Sequence, residues 1–268
     1  MQGFRLVTSP AANNNGTATN GRCWSASDKP VCNRTMVTTG GIITSLGLVS
    51  RTALLAGATG LVGSHVLNLL LGDPEWTRVV TVGRRTTARQ HAKLEQRVLD
   101  LGTLETLGDV PRLNDVFCCL GTTIKRAGSQ PAFRLVDHTF VVGLARAGLR
   151  AGATQFLLVS AIGADPASRI FYSRVKGETE AAVRKLPYRS IQIFRPSLLL
   201  GDRAEFRLGE RIATLGAPML SVLLFGRLRR YRPIHAATVA RAMVTIAREA
   251  PLGPNVFEYA GMRASLVA

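Results

Sequence analysis

Leu54-Leu55-Ala56-Gly57-Ala58-Thr59-Gly60-Leu61-Val62-Gly63 is the stretch that decides the fold. A short apolar run ends in a Gly-x-x-Gly-x-x-Gly turn, and an apolar-periodic segment follows through Leu61, Val62, Val66, Leu69 and Leu70, which is the order strand, tight turn, helix. Gly57 permits the turn, Gly60 lets the backbone approach a pyrophosphate with no Cβ between, and Gly63 lets the helix lie close on the strand. The helix start then offers free N–H groups and a partial positive charge to phosphate. Gly57, Thr59, Gly60, Leu61, Val62 and Gly63 are therefore candidate dinucleotide contacts, against the plainer reading of a glycine-rich turn with no ligand.

Outward from that turn, apolar runs alternate with helical patterns. Short β-branched runs fall at residues 52–56, 78–82, 116–120, 155–160 and 190–195, with weaker ones at 96–99 and 256–259. Helical periodicity fills 61–71, 131–151, 171–186, 203–215 and 236–248. This succession predicts an α/β fold, a doubly wound parallel sheet of the Rossmann type covered on both faces. One domain over residues 51–268 is expected, with a small substrate-covering lobe formed mainly by 196–235. Residues 1–50 carry Asn13-Asn14-Asn15, scattered Ser and Thr and little periodicity, and are expected to be disordered. That segment lacks the plan of a secretory signal and the arginine density of an organelle transit peptide, so a cytoplasmic location is expected.

At 46% hydrophobic and 19% charged residues, the composition is that of a globular chain and not a disordered one. The net charge of +17 invites an anionic partner, but only five of the 34 basic residues are lysines and no nucleic-acid motif accompanies them, so nucleic acid is not expected. The basic stretch at 227–232 reads as a solvated face or an anion site. Residues 53–71 hold only His65 as a titratable group, yet their glycines break them into strand, turn and helix, so no membrane span is expected. Four cysteines, two of them adjacent at Cys118 and Cys119, read as reduced thiols, and no metal is expected.

The second strand runs into Gly83-Arg84-Arg85 where an NAD-specific site would show a carboxylate for the ribose 2'-hydroxyl. A guanidinium there pairs with a 2'-phosphate, which predicts NADP(H) held by Arg84 first and Arg85 beside it, unless both are merely exposed. Asp100, after the third strand, is placed beside the adenine, and Leu120-Gly121-Thr122 close the fourth strand where a nucleotide would cross the sheet edge. Tyr172 and Lys176 stand four residues apart, one turn apart on one helix face. A phenol beside an ammonium exchanges its proton more readily, so Tyr172 can serve as acid or base toward a carbonyl or alcohol while Lys176 also holds the nicotinamide ribose. Ser160 ends the fifth strand with its hydroxyl expected in the cleft, on the substrate oxygen. Tyr-x-x-x-Lys alone also fits an amphipathic surface helix; the cradle and the serine ahead of it favour a catalytic set. His138 and His235 are read as structural.

Val82-Gly83-Arg84-Arg85, Phe117-Cys118-Cys119-Leu120-Gly121-Thr122-Thr123, Ser160 with Gly163-Ala164-Asp165, Tyr172 to Lys176 with Gly177-Glu178, and Phe194-Arg195-Pro196 together resemble the atypical short-chain dehydrogenase/reductases. Within them the likeness is to the Tat-interacting-protein-like oxidoreductases and their bacterial relatives, over residues 52–250. The resemblance implies NADPH, a Ser160, Tyr172 and Lys176 active site, and a lobe over a small-molecule substrate. Many short-chain dehydrogenases relay protons through an asparagine on the helix after the fourth strand; this chain has Asp137 and His138 there. A homodimer is allowed by this reading. Two other functions stay open: a non-catalytic NADP(H) sensor, and a nucleotide-sugar epimerase or dehydratase, for which the 73 residues after Arg195 make a lid more readily than a sugar domain.

Overall fold

The computed structural model describes residues 50–99, 110–201 and 226–266. Seven parallel strands form one sheet in the order β3-β2-β1-β4-β5-β6-β9. They are β1 (Arg51–Ala56), β2 (Trp76–Gly83), β3 (Leu94–Val98), β4 (Asp115–Cys118), β5 (Gln155–Val159), β6 (Ser190–Phe194) and β9 (Gly253–Phe257). A separate parallel pair joins β7 (Leu199–Leu200) to β8 (Ile234–His235). The helices are α1 (Leu61–Gly72), α2 (Ile124–Ala127), α3 (Gln130–Arg134), α4 (Phe140–Arg150), α5 (Phe171–Arg184), α6 (Ala236–Glu249) and α7 (Tyr259–Ala264).

Every residue of β4, β5 and β6 is buried, as strands covered on both faces must be. Because side chains alternate along a strand, each strand feeds two cores. Leu55, Phe117, Leu157 and Phe194 pack with Val66 and Leu70 of α1 and Val239 and Met243 of α6. Leu54, Val116, Phe156, Leu158 and Ile193 pack on the opposite face with Val141, Leu144 and Val183 from α4 and α5. The chain runs outward from β1 to β3 and then restarts on the other side at β4, so the carboxyl ends of β1 and β4 diverge and open the crevice where such sheets bind ligands.

The helix expected over 131–151 is interrupted. Between α3 and α4, residues Leu135–Thr139 make a π-helical turn. The helix expected at 203–215, the residue Asp100, all but the last residue of the segment 1–50, and the greater part of the lobe at 196–235 lie outside the described residues. Residues 226–231 form a 3-10 turn, with Arg229 and Arg230 exposed. Among the described residues no helix is long and apolar enough to cross a membrane.

The amino end of the sheet is closed by a polar clamp. Arg51 donates to both Asp115 oxygens, at 2.9 and 2.6 Å, and to Gln155 and the Ala247 carbonyl. Trp76 Nε1 also donates to Asp115 at 2.8 Å, and the Arg51 guanidinium lies 4.7 Å over the Trp76 ring. Asp115 thus joins β1, β2 and β4. Asp115→Ala leaves the Trp76 indole N–H without its acceptor and the Arg51 guanidinium without its buried counter-charge, with Glu75 at 3.5 Å as its remaining carboxylate, and breaking such a buried pair costs up to about 3–5 kcal/mol. Urea unfolding should show that loss; an unchanged midpoint would remove the clamp from the account.

Candidate functional site

The turn after β1 is built as its glycines require. Gly57 sits at φ +84°, and a Cβ there would stand 2.4 Å from the Cys119 carbonyl oxygen at the end of β4. Its own carbonyl accepts from Gly60 N at 2.8 Å, and a Cβ on Gly63 would stand 2.0 Å from that same oxygen. Gly60 begins α1 with no side-chain cap, and the first turn holds no acidic residue. The first N–H groups of α1 are therefore left for a ligand, at an end carrying positive partial charge. Thr59 and Leu61 lie in this turn, while Val62 is buried beneath it. Arg84 and Arg85 follow β2 exposed, and among the described residues neither makes a side-chain ion pair or hydrogen bond.

Leu120, Gly121 and Thr122 continue past β4 at the same crevice. Gly121 is exposed, and a Cβ on it would lie 3.5 Å from Asp137 Oδ1 and 3.7 Å from Lys176 Nζ. The end of β4 and the lysine of α5 are thereby brought together. A dinucleotide fits this arrangement: an uncapped helix start behind a glycine turn, free guanidinium groups after β2, and an ammonium beside the β4 loop.

Tyr172 and Lys176 lie on α5, as the spacing requires, with Tyr172 half-buried and Lys176 buried. Lys176 Nζ stands 2.7 Å from Oδ1 of Asp137, which is wholly buried in the π turn. Burial pulls the lysine pKa down, but the Asp137 carboxylate, with smaller contributions from Tyr172 and Cys118, overcomes it and leaves the pKa above its ordinary value. A lysine ordinarily titrates near ~10.4. With the folded value raised, the pair's stabilisation is complete below that pH and is lost as pH rises through the folded value, so at neutral pH the ammonium is intact. His138, next to Asp137, has its pKa lowered, first by burial and then by Arg134, and is neutral there.

Ser160 is placed differently from expectation. Its hydroxyl is buried and donates to Glu180 Oε1 at 2.6 Å, so its proton is already committed to a carboxylate and not to a substrate oxygen. Both oxygens of that carboxylate also accept from Arg195, at 2.9 and 2.6 Å. Period-two alternation fixes the face a strand residue takes but not its partner, and a buried carboxylate draws any hydroxyl within reach. Glu180 is not among the candidates read from the sequence, and Arg195 enters there as part of Phe194-Arg195-Pro196. The available signal was the spacing of Glu180, four residues after Lys176 and so on the same face of α5. Gly177, next to Lys176, has a packing reason: a Cβ there would stand 2.2 Å from the backbone at Asp165 and Pro166, so the loop after β5 lies directly on α5.

Known proteins share this architecture. The rat protein HTATIP2 (Rattus norvegicus) is 37% identical over 168 residues, covering 61% of this chain and 69% of its own. Protein fmp52, mitochondrial, of Emericella nidulans is 32% identical over 216 residues, covering 76% of this chain and 93% of its own. The solved structure of human epimerase family protein SDR39U1 (isoform2) with NADPH superposes with a TM-score of 0.51 at 18% identity, covering 76% of this chain and 72% of that one. These relatives place the chain on the atypical short-chain dehydrogenase/reductase branch. The expected cytoplasmic location does not stand, because the fungal relatives are named as mitochondrial proteins. A family model, described as NAD dependent epimerase/dehydratase family, matches residues 53–258. From the glycine cradle through the tyrosine–lysine helix to the last strand, the chain belongs to the NAD dependent epimerase/dehydratase family.

Proposed function

We propose that this chain is an NADP(H)-dependent oxidoreductase acting on a small carbonyl or alcohol, with Tyr172 as its proton donor and acceptor. The observation that carries the reading is the buried Lys176 ammonium one turn from Tyr172, beside the loop that ends β4. When bound, the reduced nicotinamide supplies the hydride. The backbone amides from Gly57 to Gly63 take the pyrophosphate, and Leu120 to Thr122 floor the site. Tyr172 Oη gives its proton to the carbonyl oxygen as that oxygen becomes an alcohol, and water restores the proton. Lys176 holds the nicotinamide ribose and faces the negative charge that develops on the phenol.

Ser160 acts in this reading through Glu180 and Arg195, fixing the end of β5, because serving the substrate would require it to leave a charge-assisted bond. The test is oxidation of NADPH across a panel of small aldehydes, ketones and nucleotide sugars. Turnover of a simple carbonyl supports the proposal. Turnover of the sugars alone favours an epimerase-like function, and binding without turnover favours a redox sensor, which the occupied Ser160 hydroxyl would suit.

Arg84 and Arg85 are assigned to the 2'-phosphate. Each charged hydrogen bond is worth about 1.5–3 kcal/mol. Arg84→Ala/Arg85→Ala should therefore weaken NADPH binding by roughly 10²-fold or more while leaving NADH binding as it was. Fluorescence titration with both nucleotides checks this, and equal losses for the two would withdraw the assignment.

A further inference from the structure

Two short helical stretches face one another in register. On α5, Tyr172 and Lys176 are one turn apart, and opposite them, on α3 and the π turn, stand Phe133 and Asp137, also four residues apart. The Phe133 ring, wholly buried, lies 5.4 Å from the Tyr172 ring and 5.8 Å from Phe171. Asp137, wholly buried, lies against Lys176. The second carboxylate oxygen of Asp137 accepts from Thr122 N at 2.9 Å, and its backbone carbonyl accepts from the Thr179 hydroxyl, also at 2.9 Å. One residue thus grips the loop after β4 and touches α5 at two places about a turn apart. The π turn supplies the geometry, since widening the helix by one residue per turn alters which side chains face α5, and such turns recur at functional sites.

Resting on the proposed oxidoreductase reading, we propose that Asp137 is a positioning residue of this site, its carboxylate fastening Lys176 to the loop that floors the nucleotide, with Phe133 seating the Tyr172 ring alongside. A carboxylate is what this geometry requires. Lys176 is buried, with Tyr172 of its own helix and Cys118 of β4 the other titratable groups acting on it, and Asp137, at 2.7 Å, is the carboxylate that pairs with it. An amide at the same place would keep the acceptor for Thr122 N but would leave a buried ammonium without a counter-charge. Asparagine at this position, at home in many short-chain dehydrogenases, is therefore a loss in this chain.

The experiment uses the full chain and follows the ¹³Cε shifts of its lysines between about pH 7 and about pH 11, where lysines ordinarily titrate. There are five of them, Lys29, Lys93, Lys125, Lys176 and Lys185, and Lys176→Arg identifies the signal. In the unaltered protein Lys176 should stay charged above the ordinary lysine value of about 10.4. In Asp137→Asn it should lose its proton at lower pH than in the unaltered protein, its proton affinity down by about tenfold or more. The alkaline limb of any kcat profile should move to lower pH with it. If Lys176 of the unaltered protein titrates at or below about 10.4, the inference fails, and that result needs no variant to fold. If the shift occurs but no carbonyl is reduced, the positioning role stands and the oxidoreductase reading fails. If carbonyls are reduced and Asp137→Asn changes neither titration nor profile, the reverse holds.

Discussion

Tyr172→Phe should bind NADPH as the unaltered protein does and transfer hydride about 10²–10⁴-fold more slowly, the range that one positioned acid or base commonly contributes. The exchange removes Oη and nothing else. Phe133 packs on the ring, at 5.4 Å between centroids, and a phenyl ring occupies the same place. Lys176 keeps its ion pair with Asp137, and the glycine turn is untouched. A change confined to the chemical step should therefore lower kcat and leave cofactor affinity alone. Single-turnover oxidation of bound NADPH in the presence of an active carbonyl separates the two. Equal rates in the two proteins would take Tyr172 out of the reaction, and the crevice would then be a binding site without this acid.

Much of this was legible in the sequence, because the cues are local. Gly57, Gly60 and Gly63 stand between an apolar run and an amphipathic one, and α1 begins at Leu61, as that pattern requires. The strands read at 155–160 and 190–195 are β5 and β6 to within a residue, since parallel strands buried on both faces leave continuous apolar runs. The partners of buried polar groups were not legible. Arg51 and Asp115 are 64 residues apart and Ser160 and Glu180 are 20 apart, and only folding brings each pair together. The π turn has no composition of its own: Leu135, Val136 and Thr139 suit an α-helix as well. Asp137 stood out as the departure from the asparagine common among short-chain dehydrogenases, but its bond to Lys176 depends on that turn.

Gly57→Ala should abolish tight NADPH binding, with Kd raised by about 10²-fold or more. Two costs act at one atom. A residue with a side chain at φ +84° takes a left-handed conformation that costs about 1–2 kcal/mol. The new methyl group also meets the Cys119 carbonyl oxygen at 2.4 Å. That oxygen cannot swing away cheaply, because Cys119 N is bonded to the Ala56 carbonyl at 2.9 Å and holds the end of β4 against the end of β1. Relief has to come from opening the β1–β4 junction or displacing the turn, and either motion disorders the amides meant for the pyrophosphate. Gly72, on the last turn of the same helix, makes the control: a Cβ there meets nothing within 4 Å. Gly72→Ala should leave binding unchanged and raise stability by up to about 1 kcal/mol. Isothermal titration with NADPH and a thermal melt of the two variants side by side decide it, and Gly57→Ala binding NADPH as tightly as Gly72→Ala would show that the turn is not where the nucleotide is held.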